Sequence, residues 1–468
     1  MNTPDPAQAR NSFYHAHSHG YDASSASKPV HVPELGHFRN SKENIVTVLI
    51  SRRNALRASA IGGAAVVLSG VASTGTAAAA INPTVSGEDA NVTDLRRALD
   101  DAAKGIDTGF GRDDEGRVIV KAAAVRYTIK DTLVIGGNTN FDASAGRFVA
   151  DFSTTTYTYT RDPNTTNRHS AYPAYPTSID SHTVSGALHA TMLINYVPSD
   201  TIGGYSAPGN IRINGGSWDP TWNYLDGTTH DTEFDRATLA PPMNVITMEH
   251  TSDIQIKGVT IWNVKWWHAV ELNAVHNAVV SDCQFNGWIE DPTVGLWHGE
   301  ALQLDLAGPG NTWAGRADNT PCRDIRILRN HCAPSDSKPA WGRLTGSHTA
   351  MAESIHSDVW IECNTVNDSK WDAIGPMNTQ NVCIRENTVQ NCWGGIYVKS
   401  LKPNPLGTVD IMGNTITLTT GSNRPALGIA TEDSTVPVSD AAVYGNMVSD
   451  GGFIYGSSVS FRRPPQTF

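Results

Sequence analysis

From Ile211 onward, apolar and polar residues alternate in short runs and do not recur at helical spacing. Ile211-Arg212-Ile213-Asn214-Gly215-Gly216 opens the series, and Ile254-Gln255-Ile256-Lys257-Gly258-Val259 repeats it. The same form returns at 279–285, 325–332, 359–366, 382–389, 409–416 and 442–448. Its formula is apolar-x-apolar, two residues, Asn or Gly, one residue, apolar. Strands with alternate side chains on a core read this way. Asn330, Asn364, Asn387, Asn414 and Asn446 recur 34, 23, 27 and 32 residues apart. A basic coil of about 23 residues, lengthened by insertions, predicts an all-β solenoid, the single-stranded right-handed parallel β-helix. Each Asn is expected at a tight turn between strands, where it tolerates left-handed backbone angles and can hydrogen-bond to the Asn of the next coil.

Ahead of this series the pattern changes. Residues 92–104 read as an amphipathic helix with Leu95, Ala98, Leu99 and Ala102 on one face and Thr93 or Asp94 as its cap. Short strands follow at Val118-Ile119-Val120, Tyr127-Thr128-Ile129 and Leu133-Val134-Ile135. Residues 85–150 are therefore expected to form an N-terminal cap and the first coils. Residues 151–210, rich in Thr, Ser, Tyr and Pro, read as a loop-rich excursion with a few strands such as Met192-Leu193-Ile194. The regular helix with its insertions spans 211–468.

A further strand precedes each apolar-x-apolar run by about eight residues. Aligning on that offset places Ile246, Val270, Leu302, Met351, Ile374 and Ile396 at one inward position. The strand starts then carry Asn244, His268, Glu300, Thr349 (just after His348), Asp372 and Gly394. One outward face gathers His268, Glu271, Glu300, Gln303, Asp305, His348, Asp372, Tyr397 and Lys399, where a merely structural strand needs no such chemistry. Insertions at 217–242, 286–299, 306–320 and 333–345 flank this face and are expected to wall a cleft. All twelve tryptophans lie between Trp218 and Trp393. Indole faces stack on the C–H faces of sugar rings, so Trp267, Trp297 and Trp371 are read as saccharide contacts.

Charge and cysteines narrow the partners. The net charge is −11, which disfavours nucleic acid, whose phosphates an acidic surface repels. The six cysteines lack the paired spacing of a zinc site, and buried free thiols are expected ahead of disulfides. Residues 1–50 are polar and rich in His and Ser, which reads as a disordered extension. Ser51-Arg52-Arg53-Asn54-Ala55-Leu56-Arg57 leads into an uncharged run ending in small residues near Ala79 and Ala80. Residues 51–80 thus resemble a twin-arginine signal peptide, which implies a secreted, folded cargo and no membrane association after cleavage.

The coil repeat over about residues 85–460 resembles the pectin-lyase-like superfamily of right-handed β-helices, and the helix at 92–104 resembles the cap of its pectate-lyase type. That resemblance implies a carbohydrate-active protein without choosing among lyase, hydrolase, transferase and tailspike. Gly395-Ile396-Tyr397-Val398-Lys399 resembles the substrate-binding block of polygalacturonases, and Gly346-Ser347-His348 their Gly-His-Gly. Their adjacent Asp pair and their Asn-Thr-Asp block have no counterpart, so galacturonate specificity is not implied.

The leading reading is a glycoside hydrolase or transglycosylase acting on a poly- or oligosaccharide. Glu300 and Asp372 lie two coils apart, roughly 9–10 Å by backbone, near the separation of about 6.5–9.5 Å used by inverting glycosidases. Asp305, on the coil of Glu300, is expected to approach either acid, and His348 to orient or protonate. His268, Glu271, Gln303, Tyr397, Lys399, Trp267, Trp297 and Trp371 are assigned to substrate binding. No metal or cofactor is expected for this chemistry. The alternative is β-elimination on a uronate-containing glycan, with Lys399, Tyr397 and His348 as candidate groups and calcium to neutralise the uronate. A non-catalytic glycan-binding or adhesive β-helix is the third reading, and homo-oligomers are compatible with each.

Overall fold

The computed structural model describes residues 87–151, 191–195, 201–221, 243–289, 299–308, 315–347, 353–400, 404–431, 438–457 and 459–467, with Asn82, Val85, Met351 and Val436 besides. The expected extension, the signal peptide, most of 151–210, His348 and Trp297 lie outside the described residues.

The chain forms a right-handed parallel β-helix. Each rung contributes strands to three faces, and the ladders between strands on successive rungs are parallel. Ile213, Ile256, Val280, Ile327, Ile361, Ile384, Ile411 and Val443 stack as one inward column on the first face. All eight are 0% exposed, each worth about 1.5–3 kcal/mol of burial. The repeat written in the sequence is this column.

The helix Ala90–Ala103 packs on the strands Val118–Lys121, Arg126–Ile129 and Leu133–Val134 and closes that end of the core. Val92, Leu95, Leu99 and Ala102 are buried beneath it. Arg96 on the same face donates to the Thr132 carbonyl at 2.7 Å and pairs with Glu88 at 2.7 Å. The cap is Asp89, whose carboxylate accepts from the Val92 amide at 3.0 Å, and not Thr93 or Asp94. The helix begins two residues earlier than its apolar spacing suggests, because exposed Ala90-Asn91 lies off the apolar face and carries no periodic signal.

The asparagines build the expected ladder. The Asn364 side-chain oxygen accepts from the Asn330 backbone and side-chain amides at 2.8 and 3.0 Å. The pattern repeats from Asn364 to Asn387, Asn387 to Asn414 and Asn414 to Asn446. Each side-chain amide also donates to a carbonyl of the preceding rung, as Asn387 does to Ile361 at 2.9 Å. The backbone expectation is corrected. The left-handed residue is the one before each Asn, namely Arg329, Cys363, Glu386, Gly413 and Gly445, with φ from 53° to 66°. The turn is made there, which leaves the Asn itself free to span rungs.

All six cysteines are free; Cys283, Cys322, Cys332 and Cys392 are buried, while Cys363 is exposed. Among the described residues no helix is long and apolar enough to cross a membrane.

The third face is a ten-stranded sheet running from Leu133–Val134 to Phe453–Tyr455. Ile246, Val270, Leu302, Ile374 and Ile396 share its inward column as expected, but the rung between Leu302 and Ile374 is filled by Thr345. The strand is Arg343–Gly346, which overlaps the end of the stretch 333–345 read as an insertion, and Met351 lies beyond it. The turn after this strand is longer than the fixed eight-residue offset, which therefore selected the wrong residue. Arg343, and not Thr349, stands in the row of strand starts beside Glu300.

Candidate active site

Strands of the first sheet alternate between buried and accessible residues, as in Ser252–Lys257. On the third sheet every residue of Asn244–Glu249, Val270–Asn273, Glu300–Asp305, Arg343–Gly346 and Asp372–Gly375 is buried. Burial here extends to the outward side chains Glu249, Glu271, Gln303 and Asp305, and to Glu300, Arg343 and Asp372 at the strand starts. Such groups are stable out of water only when paired, and their pairing defines the site.

At the strand starts, Glu300 stands between His268 and Arg343. His268 Nδ1 lies 2.9 Å from the Glu300 carbonyl and 4.0 Å from its Oε2, and Arg343 Nη1 lies 3.6 Å from Oε1. Glu300 and Arg343 precede the inward Leu302 and Thr345 by two residues, yet their side chains turn to the outer face. Glycine makes this possible. A Cβ on Gly346 would meet Arg343 Cδ at 2.8 Å and Glu300 Cγ at 3.0 Å, and one on Gly375 would meet Arg343 Nη1 at 3.2 Å. The arginine lies along a groove that two missing side chains provide. On the next rung Arg424 grips Asp372 with Nε and Nη2, at 3.0 and 2.6 Å. Its guanidinium is 3.7 Å from the Trp371 ring centroid. Arg343 and Arg424 were not picked out in the sequence. Arg343 is hidden by the register error, and the Asn423-Arg424-Pro425 turn carries no periodicity.

Further along the strands lies a polar network. Glu271 accepts from Asn244 through one oxygen and from Asn273 at 3.0 Å through the other. Asn273 also reaches Glu249 at 3.0 Å. Gln303 donates to Asp305 at 3.2 Å, and the second Asp305 oxygen accepts from the Leu306 amide at 3.2 Å. Glu300 and Asp305 stand at opposite ends of one extended strand, about 16 Å apart along the chain, so Asp305 does not approach Glu300. It neighbours His356, another group not singled out in the sequence. His356 Nδ1 accepts from the Cys322 amide at 3.0 Å and Nε2 faces the Ser347 hydroxyl at 3.4 Å. This fixes the tautomer with the proton on Nε2. Burial drives its pKa down to about 4 despite the pull of Asp305, so the ring is neutral at ordinary pH.

Tyr397 and Lys399 occupy half-buried outward positions two rungs beyond Gly346. A Cβ on Gly428 would meet the Tyr397 ring at 2.3 Å, so the ring lies flat on that glycine. The tryptophans divide. Trp218, Trp288 and Trp341 are core residues, Trp267 is 6% exposed, and Trp371 is half-buried against Arg424. Trp297 and His348 lie outside the described residues. Among the described residues no cluster of three or more His, Cys, Asp or Glu has the geometry to hold a metal ion.

No protein-family model matches the chain. No curated protein matches it in sequence. Among solved structures it is similar to PfbA, a surface adhesin of Streptococcus pneumoniae, with a TM-score of 0.50 and 14% identity over 80% of this chain and 88% of that one. It is also similar to the A-module of the mannuronan C-5 epimerase AlgE6 of Azotobacter vinelandii (TM-score 0.42, 10% identity, 81% and 94% covered). A polygalacturonase from Erwinia carotovora ssp. carotovora gives 0.36 and 9% identity over 76% and 90%. At 14% identity the likeness to PfbA is one of fold alone, the parallel β-helix.

Proposed function

We propose that the chain is an exported carbohydrate-active enzyme that cleaves or transfers glycosidic bonds of a poly- or oligosaccharide on the third sheet. One observation carries this reading. Of the three faces, the third holds carboxylates and arginines out of water along its consecutive rungs, at Glu271, Glu300, Arg343 and Asp372. Replacing such groups by apolar ones is often neutral or stabilising. Concentrated charge of this kind is characteristic of reaction centres.

In this reading Glu300 and His268 form the proton-carrying pair. They stand 4.0 Å apart, so one bridging water, or a closing of this contact when substrate binds, lets a proton pass between them and on to the leaving oxygen. Asp372, two rungs away and held by the Arg424 fork, orients the attacking water or acceptor hydroxyl. Their backbone separation of roughly 9–10 Å leaves room for that molecule. Arg343, bedded over Gly346 and Gly375, stabilises negative charge on Glu300 after proton transfer. Gln303, Glu271, Tyr397 and Lys399 line the continuation of the face and contact sugar hydroxyls. The twin-arginine segment exports the folded chain, and the solution partner is the glycan.

A second reading, β-elimination on a uronate, draws on the cations Arg343, Arg424 and Lys399 along the same face. A panel of neutral and uronate polysaccharides separates the two. Hydrolysis or transfer gives new reducing ends or rearranged oligomers, whereas elimination gives an ultraviolet-absorbing unsaturated uronate. Full activity in both Glu300→Gln and Asp372→Asn would remove these residues from the chemistry. Binding without turnover of any polysaccharide would point to a binding module.

A further inference from the structure

Trp393 is the most accessible of the described tryptophans. It is 41% exposed, while Trp218, Trp288 and Trp341 are at most 1% exposed. It sits one rung from Trp371: the Trp393 amide donates to Ser369 at 2.9 Å and the Gly394 amide to Trp371 at 2.9 Å. The two indoles therefore leave the helix at successive rungs, about 4.8 Å apart by backbone. A third element is tied to them. The Ser422 hydroxyl donates to the Trp393 carbonyl and accepts from the Arg424 amide at 3.1 Å. That turn ties the Arg424 backbone through Ser422 to the Trp393 backbone, with the guanidinium over Trp371 and its Nε and Nη2 engaged by Asp372.

One glycine makes room for the Arg424 side chain on Asp372. A Cβ on Gly394 would strike Asp372 Oδ1 at 2.6 Å and Arg424 Nε at 3.1 Å. The result is an accessible indole beside an arginine that is rigid, half-buried and already charge-matched. An indole face offers a platform to the C–H side of a pyranose ring. A neutralised guanidinium offers its outer N–H edge to hydroxyl groups and draws a carboxylate only weakly.

We propose that Trp393 and Arg424 form a saccharide-binding subsite, in which a pyranose ring stacks on Trp393 and its hydroxyls hydrogen-bond to the outer edge of Arg424. The subsite lies at the strand starts beyond Asp372 and rests on the glycan reading above. It extends that reading by giving the bound chain a direction, from Trp393 past Asp372 towards Glu300.

The test is retardation of the full chain in native gels containing a soluble β-glucan, an arabinoxylan, a galactomannan, polygalacturonate or alginate. Wild type should be retarded by at least one of the neutral polymers, and added salt should not abolish this. Trp393→Ala should weaken the apparent affinity about tenfold, with the circular dichroism of the folded chain unchanged. Trp393→Phe should recover most of the binding. Wild-type retardation with no loss in Trp393→Ala would overturn the subsite and leave the glycan reading standing. Retardation only by polyuronates, lost in salt, would overturn the hydroxyl recognition. No retardation by any polymer would overturn the subsite and the glycan reading together.

Discussion

Replacing Asn387 by alanine tests whether the asparagine ladder is a source of stability or an ornament of the turn. Asn387 is 1% exposed. Its side-chain oxygen accepts from the Asn364 backbone and side-chain amides, both at 2.9 Å. Its side-chain amide donates to Asn414 and to the Ile361 carbonyl, both at 2.9 Å. Alanine removes all four bonds and leaves the buried Asn364 backbone amide without an acceptor. At roughly 1 kcal/mol net per bond, with the orphaned donor raising the cost, the loss is about 3–5 kcal/mol. Asn446→Ala, which removes three such bonds, should cost less. Asn387→Asp should cost more than alanine, because a second carboxylate oxygen would face the Ile361 and Asn414 oxygens in a buried site. The assay is equilibrium urea unfolding followed by tryptophan fluorescence, with exposed Gln390→Ala on the adjoining strand as the control. A loss for Asn387→Ala within about 0.5 kcal/mol of that control, the range of neutral surface changes, would refute the reasoning.

Four further predictions use the same measurements or an activity assay. Cys283 occupies the ladder position one rung before Asn330, and its thiol lies 3.8 Å from the Ile256 carbonyl. Cys283→Asn should extend the ladder and stabilise by about 1 kcal/mol, and a destabilised variant would show that the rung cannot accept the amide. Cys363 is exposed with φ 57°, so Cys363→Gly should gain about 0.5–1 kcal/mol by relieving left-handed strain, and an unchanged urea midpoint would count against it. Burial lifts Asp131 from the usual carboxylate range to about 7. The folded state then holds a proton that the unfolded state releases. The stabilisation is complete below about pH 4 and is lost as pH rises through about 7, by up to about 4 kcal/mol. The stability of wild type relative to Asp131→Asn should therefore fall across that window, and a flat difference would contradict it. Gly346→Ala should push Arg343 off its groove and lower turnover at least tenfold at a stability cost of about 1–3 kcal/mol, and full activity would deny Arg343 its role.

The fold was legible because its determinants repeat. Eight rungs place an aliphatic residue at the same inward point of the first sheet, and five place an Asn at the same turn. One irregular rung cannot hide such a pattern. The site depends on the rungs where the repeat fails. Thr345 stands where an aliphatic residue would have marked the strand, and a long turn separates it from the next inward column at Val359. The polar side chains at the strand starts were visible wherever spacing stayed regular, as at Glu300 and Asp372. Their partners were not, because an arginine is recruited by the glycine beneath it and not by its own period. Gly346 and Gly375 on adjoining rungs are the signal that was present in the sequence. Successive glycines at an outward position of a β-helix leave a groove, and a long cation at the start of one of the same strands can fill it. Pairing also explains why sequence reading overstates how open such a site is. Carboxylates on an outward face look solvated until their arginines and amides are placed, and here those partners bury Glu300, Glu271 and Asp372 almost completely. Under the proposed reading, a glycan reacting at Glu300 would have to exchange some of these contacts for its own, and the accessible Trp393 with half-buried Arg424 would be where binding begins.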